Sequence, residues 1–144
     1  MTRTAFRKTL SANDVGTTGG HQGGVLIPKG ERDLLEFLPH LDPSVKNPDA
    51  WLSCTDPYGG THRFRFVYYN NKLHDPRGTR NEYRITYMTA WFRNAGAKEG
   101  DVFEIAKETG SSVYTVSVIK AEYGRPDDRE LSARIQLRGW RRVH

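Results

Sequence analysis

Alternation of apolar and polar side chains with a period of two dominates the chain and predicts half-buried β-strands. The clearest case is residues 62–69, where one face of the predicted strand carries His62, Phe64, Phe66 and Tyr68. The same pattern predicts further strands at 4–10, 24–28, 50–55, 82–88, 101–107, 113–121 and 131–138. Burial in the strand faces accounts for the large aromatic residues, so we assign to the core Trp51, Phe64, Phe66 and Phe103.

Two short helices are predicted between these strands. Leu34, Leu35 and Leu38 recur at helical spacing and are followed by Pro39, which predicts a helix over 31–38. A second helix is predicted over 88–97. Eight short strands separated by turn residues favour a small barrel or sandwich, because closure hides the strand edges. The fold class is therefore mainly β with one or two short helices, in a single domain that spans residues 1–144.

The net charge of the chain indicates which class of partner it binds. The 144 residues include 22 Lys and Arg against 17 Asp and Glu, and the formal net charge of +5 favours a polyanionic partner. Cys54 is the single cysteine, so no internal disulfide can form and a reducing compartment is expected. No apolar run is long enough to span a membrane, and the N-terminus lacks a signal-peptide pattern. We therefore predict a cytoplasmic protein without a membrane partner.

The positive charge is concentrated in the middle of the chain. Residues 62–93 carry seven basic side chains against Asp75 and Glu82, whereas residues 31–60 are acidic. Four tyrosines are interleaved with the basic residues: Tyr68, Tyr69, Tyr83 and Tyr87. A basic segment rich in aromatics is typical of a nucleic-acid-binding face, and stacking of single-stranded DNA or RNA bases on these rings is an alternative to duplex binding. The alternative is that these Arg and Tyr side chains only cover the solvent-exposed face of two amphipathic strands, which explains the composition equally well.

A long polar loop over residues 11–24 contains five glycines. Glycines allow backbone N–H groups to approach a ligand closely, so a phosphate-binding loop has to be considered. The Gly-Lys-Ser/Thr sequence of nucleotide-binding loops is missing, and Val25 to Pro28 reads as a strand rather than a helix. A connector without a binding role is the other interpretation.

A second polar loop covers residues 72–84 and ends in a row of alternating charge. In an extended segment Arg80, Glu82 and Arg84 project to the same side, and we call these three residues the arginine comb, whereas Asn81 and Tyr83 point to the opposite side. Arginine can donate to guanine O6 and N7, and a carboxylate can accept from cytosine N4, so the arginine comb has the chemistry to read G·C pairs. The alternative is a salt bridge on a sheet surface.

The sequence gives less support to a catalytic function. Asp127, Asp128 and Glu130 could bind a metal in a stand-alone nuclease, but the last lysine of the chain, Lys120, precedes them, and a charged turn is the preferred interpretation. The histidines show no pair at metal-ligand spacing, and no serine lies in a nucleophile turn. We expect no catalytic residue, metal or cofactor.

Two blocks of sequence resemble a known family, the N-terminal effector domain of EcoRII restriction endonucleases. Its first recognition arm is similar to the run from Ser11 to Gln22 with Gly24 and Ile27-Pro28. Its second arm is similar to Tyr68-Tyr69-Asn70 together with the run from Thr79 to Thr86. The turn 98–101 and the strand that follows it are also similar to plant B-three transcription-factor domains.

The resemblance implies a DNA-binding pseudobarrel of seven or eight strands whose two arms contact the major groove of double-stranded DNA at CC(A/T)GG. It also implies a bacterial protein, monomeric as an isolated domain, with cleavage carried out by a separate C-terminal nuclease domain. The family has lysines at the places of Gly78 and Tyr83, so phosphate binding is expected from Lys72 and Arg77. The expected DNA-binding residues are Ser11, Asn13, Asp14, Thr18, His21, Gln22, Lys72, Arg77, Arg80, Asn81, Glu82, Tyr83 and Arg84.

Overall fold

A single sheet curls until its two edge strands approach each other. The structure, a computed structural model, describes residues 2–16, 24–121 and 139–143. Within these residues the strands are β1 (Arg3–Thr9), β2 (Val25–Ile27), β3 (Asp49–Thr55), β4 (Thr61–Tyr69), β5 (Glu82–Thr86), β6 (Val102–Glu108), β7 (Val113–Ile119) and β8 (Trp140–Val143). Their order is β2-β5-β4-β3-β7-β6-β1-β8, and neighbours are antiparallel except for β3 and β7, which are parallel. The indole N–H of Trp140 donates to the Leu26 carbonyl at 2.9 Å, which links the two edge strands. The mainly β pseudobarrel is thereby confirmed.

Four short helices connect the strands of the described segments. They are α1 (Ala12–Val15), α2 (Arg32–Phe37), α3 (Asn71–His74) and α4 (Thr89–Asn94). The helices predicted over 31–38 and 88–97 are confirmed as α2 and α4, whereas the single turns α1 and α3 lie in the two polar loops and were not predicted. Across the described residues, no helix is long and apolar enough to cross a membrane.

The core confirms most of the aromatic assignments and corrects one of them. Phe64, Phe66 and Phe103 are buried as predicted. The prediction for Trp51 is wrong, because 45% of this residue is exposed. Strand β3 turns Leu52 and Cys54 inward, and the period of two then places Trp51 on the outer face.

The last described strand differs from the expected one. The strand predicted over 131–138 and the acidic residues Asp127, Asp128 and Glu130 lie outside the described residues. Strand β8 instead covers Trp140–Val143 and pairs with β1. Its four residues carry no alternating pattern, and the burial of Trp140 depends on strands far away in sequence, so no local signal indicated it.

Two ionisable groups lie side by side in the core. Cys54 of β3 is the register partner of Tyr114 of β7, and the Tyr114 hydroxyl donates to the Phe37 carbonyl at 2.9 Å, which ties β7 to α2. Burial raises the pKa of the Cys54 thiol from 9.0 to about 12. Burial, together with the neighbouring thiolate charge, raises the pKa of Tyr114 from 10.0 to about 12.

We expect these two groups to make the protein sensitive to alkali. A pKa that folding raises contributes stability that is complete below the unfolded-state pKa and is lost as the pH rises through the folded-state pKa. The free energy of unfolding should therefore fall between pH 9 and pH 12, by up to about 1.4 kcal/mol per pH unit for each group. Urea titrations of the wild type, Tyr114→Phe and Cys54→Ala at stepped pH check this. A decline that both variants retain in full would contradict it.

Candidate nucleic-acid interface

The first arm, residues 11–24, begins with a reciprocal helix cap. The Asp14 amide donates to Ser11 Oγ at 3.1 Å, and the Ser11 amide donates to Asp14 Oδ2 at 2.9 Å. The same carboxylate forms a buried ion pair with Lys8 of β1. Both partners of the cap are thus used within the protein and fix the direction in which the arm leaves β1. Asn13 is exposed on α1, and the predicted site residues Thr18, His21 and Gln22 lie outside the described residues.

The first arm returns to the sheet at Gly24, where the backbone leaves no room for a side chain. Gly24 has a φ of +77°, and a Cβ at this position would lie 1.9 Å from the Ile85 carbonyl oxygen. Strand β2 follows directly and pairs with β5. In addition, Arg84 Nη1 donates to the Gly24 carbonyl at 3.1 Å. The end of the first arm is therefore fixed to β5, the strand that carries Glu82 and Arg84 of the arginine comb.

The second arm, residues 70–81, is closed at its base by Asn71. The side-chain oxygen of Asn71 accepts from the Thr79 amide at 3.1 Å and from the Arg80 amide at 2.7 Å. Gly78 packs directly on the same residue, since a Cβ there would lie 2.1 Å from the Asn71 carbonyl oxygen. The close approach gives a structural reason for glycine at position 78. The arm presents to solvent two exposed cations, Lys72 and Arg77.

The structure brings the three side chains of the arginine comb into one hydrogen-bonded row. Glu82 accepts from Arg80 Nε at 3.1 Å through one carboxylate oxygen and from Arg84 Nε at 2.6 Å through the other. Exposure of the side chains decreases along the row, from 37% for Arg80 through 27% for Glu82 to 18% for Arg84. Partial burial opposes ionisation of Glu82, but the two guanidinium groups outweigh it and hold the pKa of the carboxyl below its usual range.

The arginine comb keeps hydrogen-bonding capacity for a ligand. Each carboxylate oxygen of Glu82 uses one lone pair on an arginine and retains a second acceptor site. The Arg80 guanidinium lies 3.8 Å from the centre of the Tyr69 ring, which fixes its plane. Among the described residues, none accepts a hydrogen bond from its terminal nitrogens. Arg80 and Glu82 therefore present a donor pair and an acceptor side by side, whereas Arg84 also binds the end of the first arm at Gly24.

Asn81 and Tyr83 face away from the arginine comb. The Asn81 side chain accepts a hydrogen bond from the Tyr68 hydroxyl, and the Tyr83 ring stacks on Tyr68 with ring centroids 4.2 Å apart. Tyr68 is buried, and Tyr69 lies beneath Arg80. Of the four tyrosines considered for base stacking, Tyr87 alone exposes most of its surface, at 66%.

Sequence reasoning missed two parts of this site. Nothing local in the sequence indicates that the Gly24 carbonyl accepts from Arg84, because 60 residues separate them. The ring of Tyr69 was considered for base stacking rather than as the support of Arg80. In the described part of the chain, no group of three His, Cys, Asp or Glu side chains is arranged to hold a metal ion.

Comparison with known proteins identifies similar proteins by sequence and by structure. The sequence model of the family described as "Restriction endonuclease EcoRII, N-terminal" matches residues 2–111. The type II restriction enzyme EcoRII of Escherichia coli is 37% identical over 118 residues, which cover 74% of this chain and 24% of that enzyme. The chain thus spans about a quarter of this curated relative. The solved structure of the Arabidopsis FUS3–DNA complex superposes with a TM-score of 0.60 at 20% identity, over 81% of this chain and 96% of that one.

Proposed function

This chain belongs to the family of the N-terminal domain of restriction endonuclease EcoRII, and from that premise we propose that it binds double-stranded DNA sequence-specifically at CC(A/T)GG. The resemblance of the two arms to recognition arms, seen in the sequence, agrees with this family assignment. The pseudobarrel shared with the FUS3 structure supports the comparison at the level of the fold.

The observation that carries the proposal is the geometry of the arginine comb. A donor pair on Arg80 and an acceptor on Glu82 lie side by side, with Glu82 at the start of β5 and Arg80 two residues before that strand. A C·G pair presents the complementary groups in the major groove. Arg84 connects this strand to the end of the first arm, so both arms approach the DNA as one unit. In this arrangement Arg80 and Glu82 contact bases, while Ser11, Asp14 and Arg84 position the arms.

Single-strand binding receives less support from the same geometry. Stacking of successive bases requires accessible aromatic faces. Tyr68 is buried, and Tyr69 and Tyr83 are covered on one side by Arg80 and Tyr68. Duplex recognition needs none of these rings to be free, and it is the function we propose.

We propose that this domain recognises DNA without cleaving it and that a separate nuclease domain performs the cleavage. The match covers about a quarter of the curated restriction enzyme. Most of that enzyme therefore lies outside the matched region, which supports a separate nuclease domain. We assign the binding reaction to a monomer of this domain in the bacterial cytoplasm, where foreign duplex DNA is encountered.

Competition binding at moderate salt tests the proposal. A duplex that contains CC(A/T)GG should compete at least about a hundredfold better than a duplex of equal composition in scrambled order, because each wrong base pair costs roughly 1–3 kcal/mol. Both sequences should also be assayed as single strands. Equal competition by the two duplexes, or tighter binding of a single strand, would contradict the proposal.

Substitution of the exposed cations of the second arm should act on every duplex alike. Lys72→Gln and Arg77→Gln each remove one expected phosphate contact, so the slope of log K against log salt should become shallower by about 0.9. The ratio of affinities for the ordered and scrambled duplexes should stay within about twofold of the wild type. A selective loss on the ordered duplex would assign these residues to base contacts instead.

A further inference from the structure

Aromatic and cationic side chains form an exposed cluster on the outer face of the sheet, away from the arms. The rings of Trp51 and Tyr87 stack with centroids 5.3 Å apart and an interplanar angle of 11°. The Arg63 guanidinium carbon lies 5.0 Å from the centre of the Trp51 ring. We call Trp51, Arg63 and Tyr87 the flank platform. Trp51 is 45% and Tyr87 66% exposed, so this stack adds little to the core.

The backbone at Tyr87 is held in an unfavourable conformation. Its φ of +65° is in the left-handed region, which large aromatic residues rarely adopt. Strand β5 ends at Thr86, and the buried Met88 follows Tyr87. The backbone is therefore strained at Tyr87, the residue whose ring stacks on Trp51 at the surface. Such strain concentrates at binding sites.

The flank platform offers hydrogen-bond donors for which no described residue is an acceptor. Arg65, the neighbouring cation on this face, pairs with Asp49 at 2.6 Å. Arg63 has no carboxylate partner within the described segments, where its contact is the Trp51 ring. No described residue accepts from the indole N–H of Trp51 or the hydroxyl of Tyr87. A guanidinium held in place beside two neutral donors matches the oxygens of a phosphate.

The flank platform and the arginine comb share one face of the sheet. In the strand register Glu82 is opposite Tyr69, and Trp51 is opposite Arg65. Arg63 and Tyr69 are six positions apart on β4, and alternate residues of a strand share a face. At roughly 3.3 Å per residue the separation along the strand is about 20 Å. Duplex DNA rises roughly 3.4 Å per base pair, so this span corresponds to about six base pairs.

We propose that the flank platform binds the sugar-phosphate backbone of duplex DNA beside the base pairs that the arms read. The inference rests on the proposed function, because the arms fix the DNA relative to this face. Its positive charge and its continuity with the arginine comb select DNA as the occupant. A duplex exposes phosphates rather than base faces at its surface, so Arg63 forms the contact, and the Trp51 ring, itself stacked on Tyr87, supports the guanidinium.

The test compares duplexes that carry the same central site with short and long flanks. One has about three flanking base pairs on each side, closed by hairpin loops, and the other has about ten. The wild type should bind the long duplex roughly five- to tenfold more tightly, as expected for one hydrogen-bonded contact at the protein surface. Arg63→Gln should reduce this gain to less than about twofold and make the salt slope on the long duplex shallower by about 0.9.

Matched variants separate the local effect from a general change of charge or surface. Lys107→Gln removes the same charge from β6, three strands away from β4, and should leave the flank gain intact. Trp51→Ala should lose the gain, whereas Tyr58→Ala, at a residue that is 96% exposed in the β3–β4 turn, should not. Urea unfolding of each variant verifies that it is folded under the binding conditions.

The outcomes distinguish this inference from the function on which it rests. Retention of the flank gain in both Arg63→Gln and Trp51→Ala would overturn the flank platform. A larger gain from single-stranded overhangs than from duplex flanks would also overturn it, since the rings would then stack on bases. Equal affinity for ordered and scrambled central sites, with the flank gain present on both, would overturn the proposed sequence specificity alone.

Discussion

Glu82→Gln is expected to lower the preference for the CC(A/T)GG duplex over its scrambled counterpart by roughly 10- to 100-fold. The carboxylate accepts from Arg80 and Arg84 and keeps an acceptor site on each oxygen for a cytosine amino group. The amide of Gln has only one acceptor oxygen. Its NH₂ group is a hydrogen-bond donor and can accept neither from an arginine nor from the cytosine amino group. Contacts of this kind contribute about 1–3 kcal/mol of discrimination each.

Affinity for scrambled DNA should move in the opposite direction. Loss of the Glu82 charge leaves two guanidinium groups without their shared counter-charge, so phosphate attraction increases. Glu108→Gln is the matched control, because it removes the same charge from an exposed residue at the end of β6. Competition titrations with ordered and scrambled duplexes measure both affinities for each variant. An equal loss on both duplexes would show that Glu82 only holds its neighbours in place.

The arginine comb could be predicted because its geometry is local. A period of two determines which side chains share a face of a strand, and Arg80, Glu82 and Arg84 meet as that rule requires. The same rule predicted the burial of Phe64 and Phe66. The EcoRII N-terminal family expected from the two arms was likewise confirmed, because the resemblance rests on short blocks of sequence that can be recognised without the fold.

Two kinds of feature could not be predicted: which of the two faces of a strand is buried, and which residues far apart in sequence contact each other. Trp51 is apolar, but it lies on the polar phase of β3, and the pairing of β3 with its neighbours decides which phase is buried. Trp140 closes the sheet through a hydrogen bond to Leu26, 114 residues away. Hydrophobicity does not distinguish the two tryptophans, and the topology buries Trp140 and exposes Trp51.

Gly24 is the position where such a long-range contact has the greatest expected effect. We expect Gly24→Ala to lower the free energy of unfolding by at least about 3 kcal/mol. A positive φ costs an alanine roughly 1–2 kcal/mol, and the added Cβ would also meet the Ile85 carbonyl oxygen at 1.9 Å. That oxygen belongs to the backbone of β5, so relief of the clash requires β2 and β5 to separate.

Gly110→Ala provides the matched control for this substitution. Gly110 has a φ of +83°, close to that of Gly24, but no atom lies within 4 Å of the place a Cβ would take. It should lose only the roughly 1–2 kcal/mol of backbone strain, so the difference between the two variants isolates the close approach to β5. Urea unfolding monitored by tryptophan fluorescence measures both.

DNA binding should separate the two variants further. Where both remain folded, Gly24→Ala should lose preference for the ordered duplex, because the Gly24 carbonyl also accepts from Arg84 and this bond holds the end of the first arm beside the arginine comb. Gly110 lies in the turn between β6 and β7, and its variant should retain the preference. Equal unfolding free energies for the two variants would contradict the clash. Unchanged preference in folded Gly24→Ala would show that the arms read DNA independently of each other.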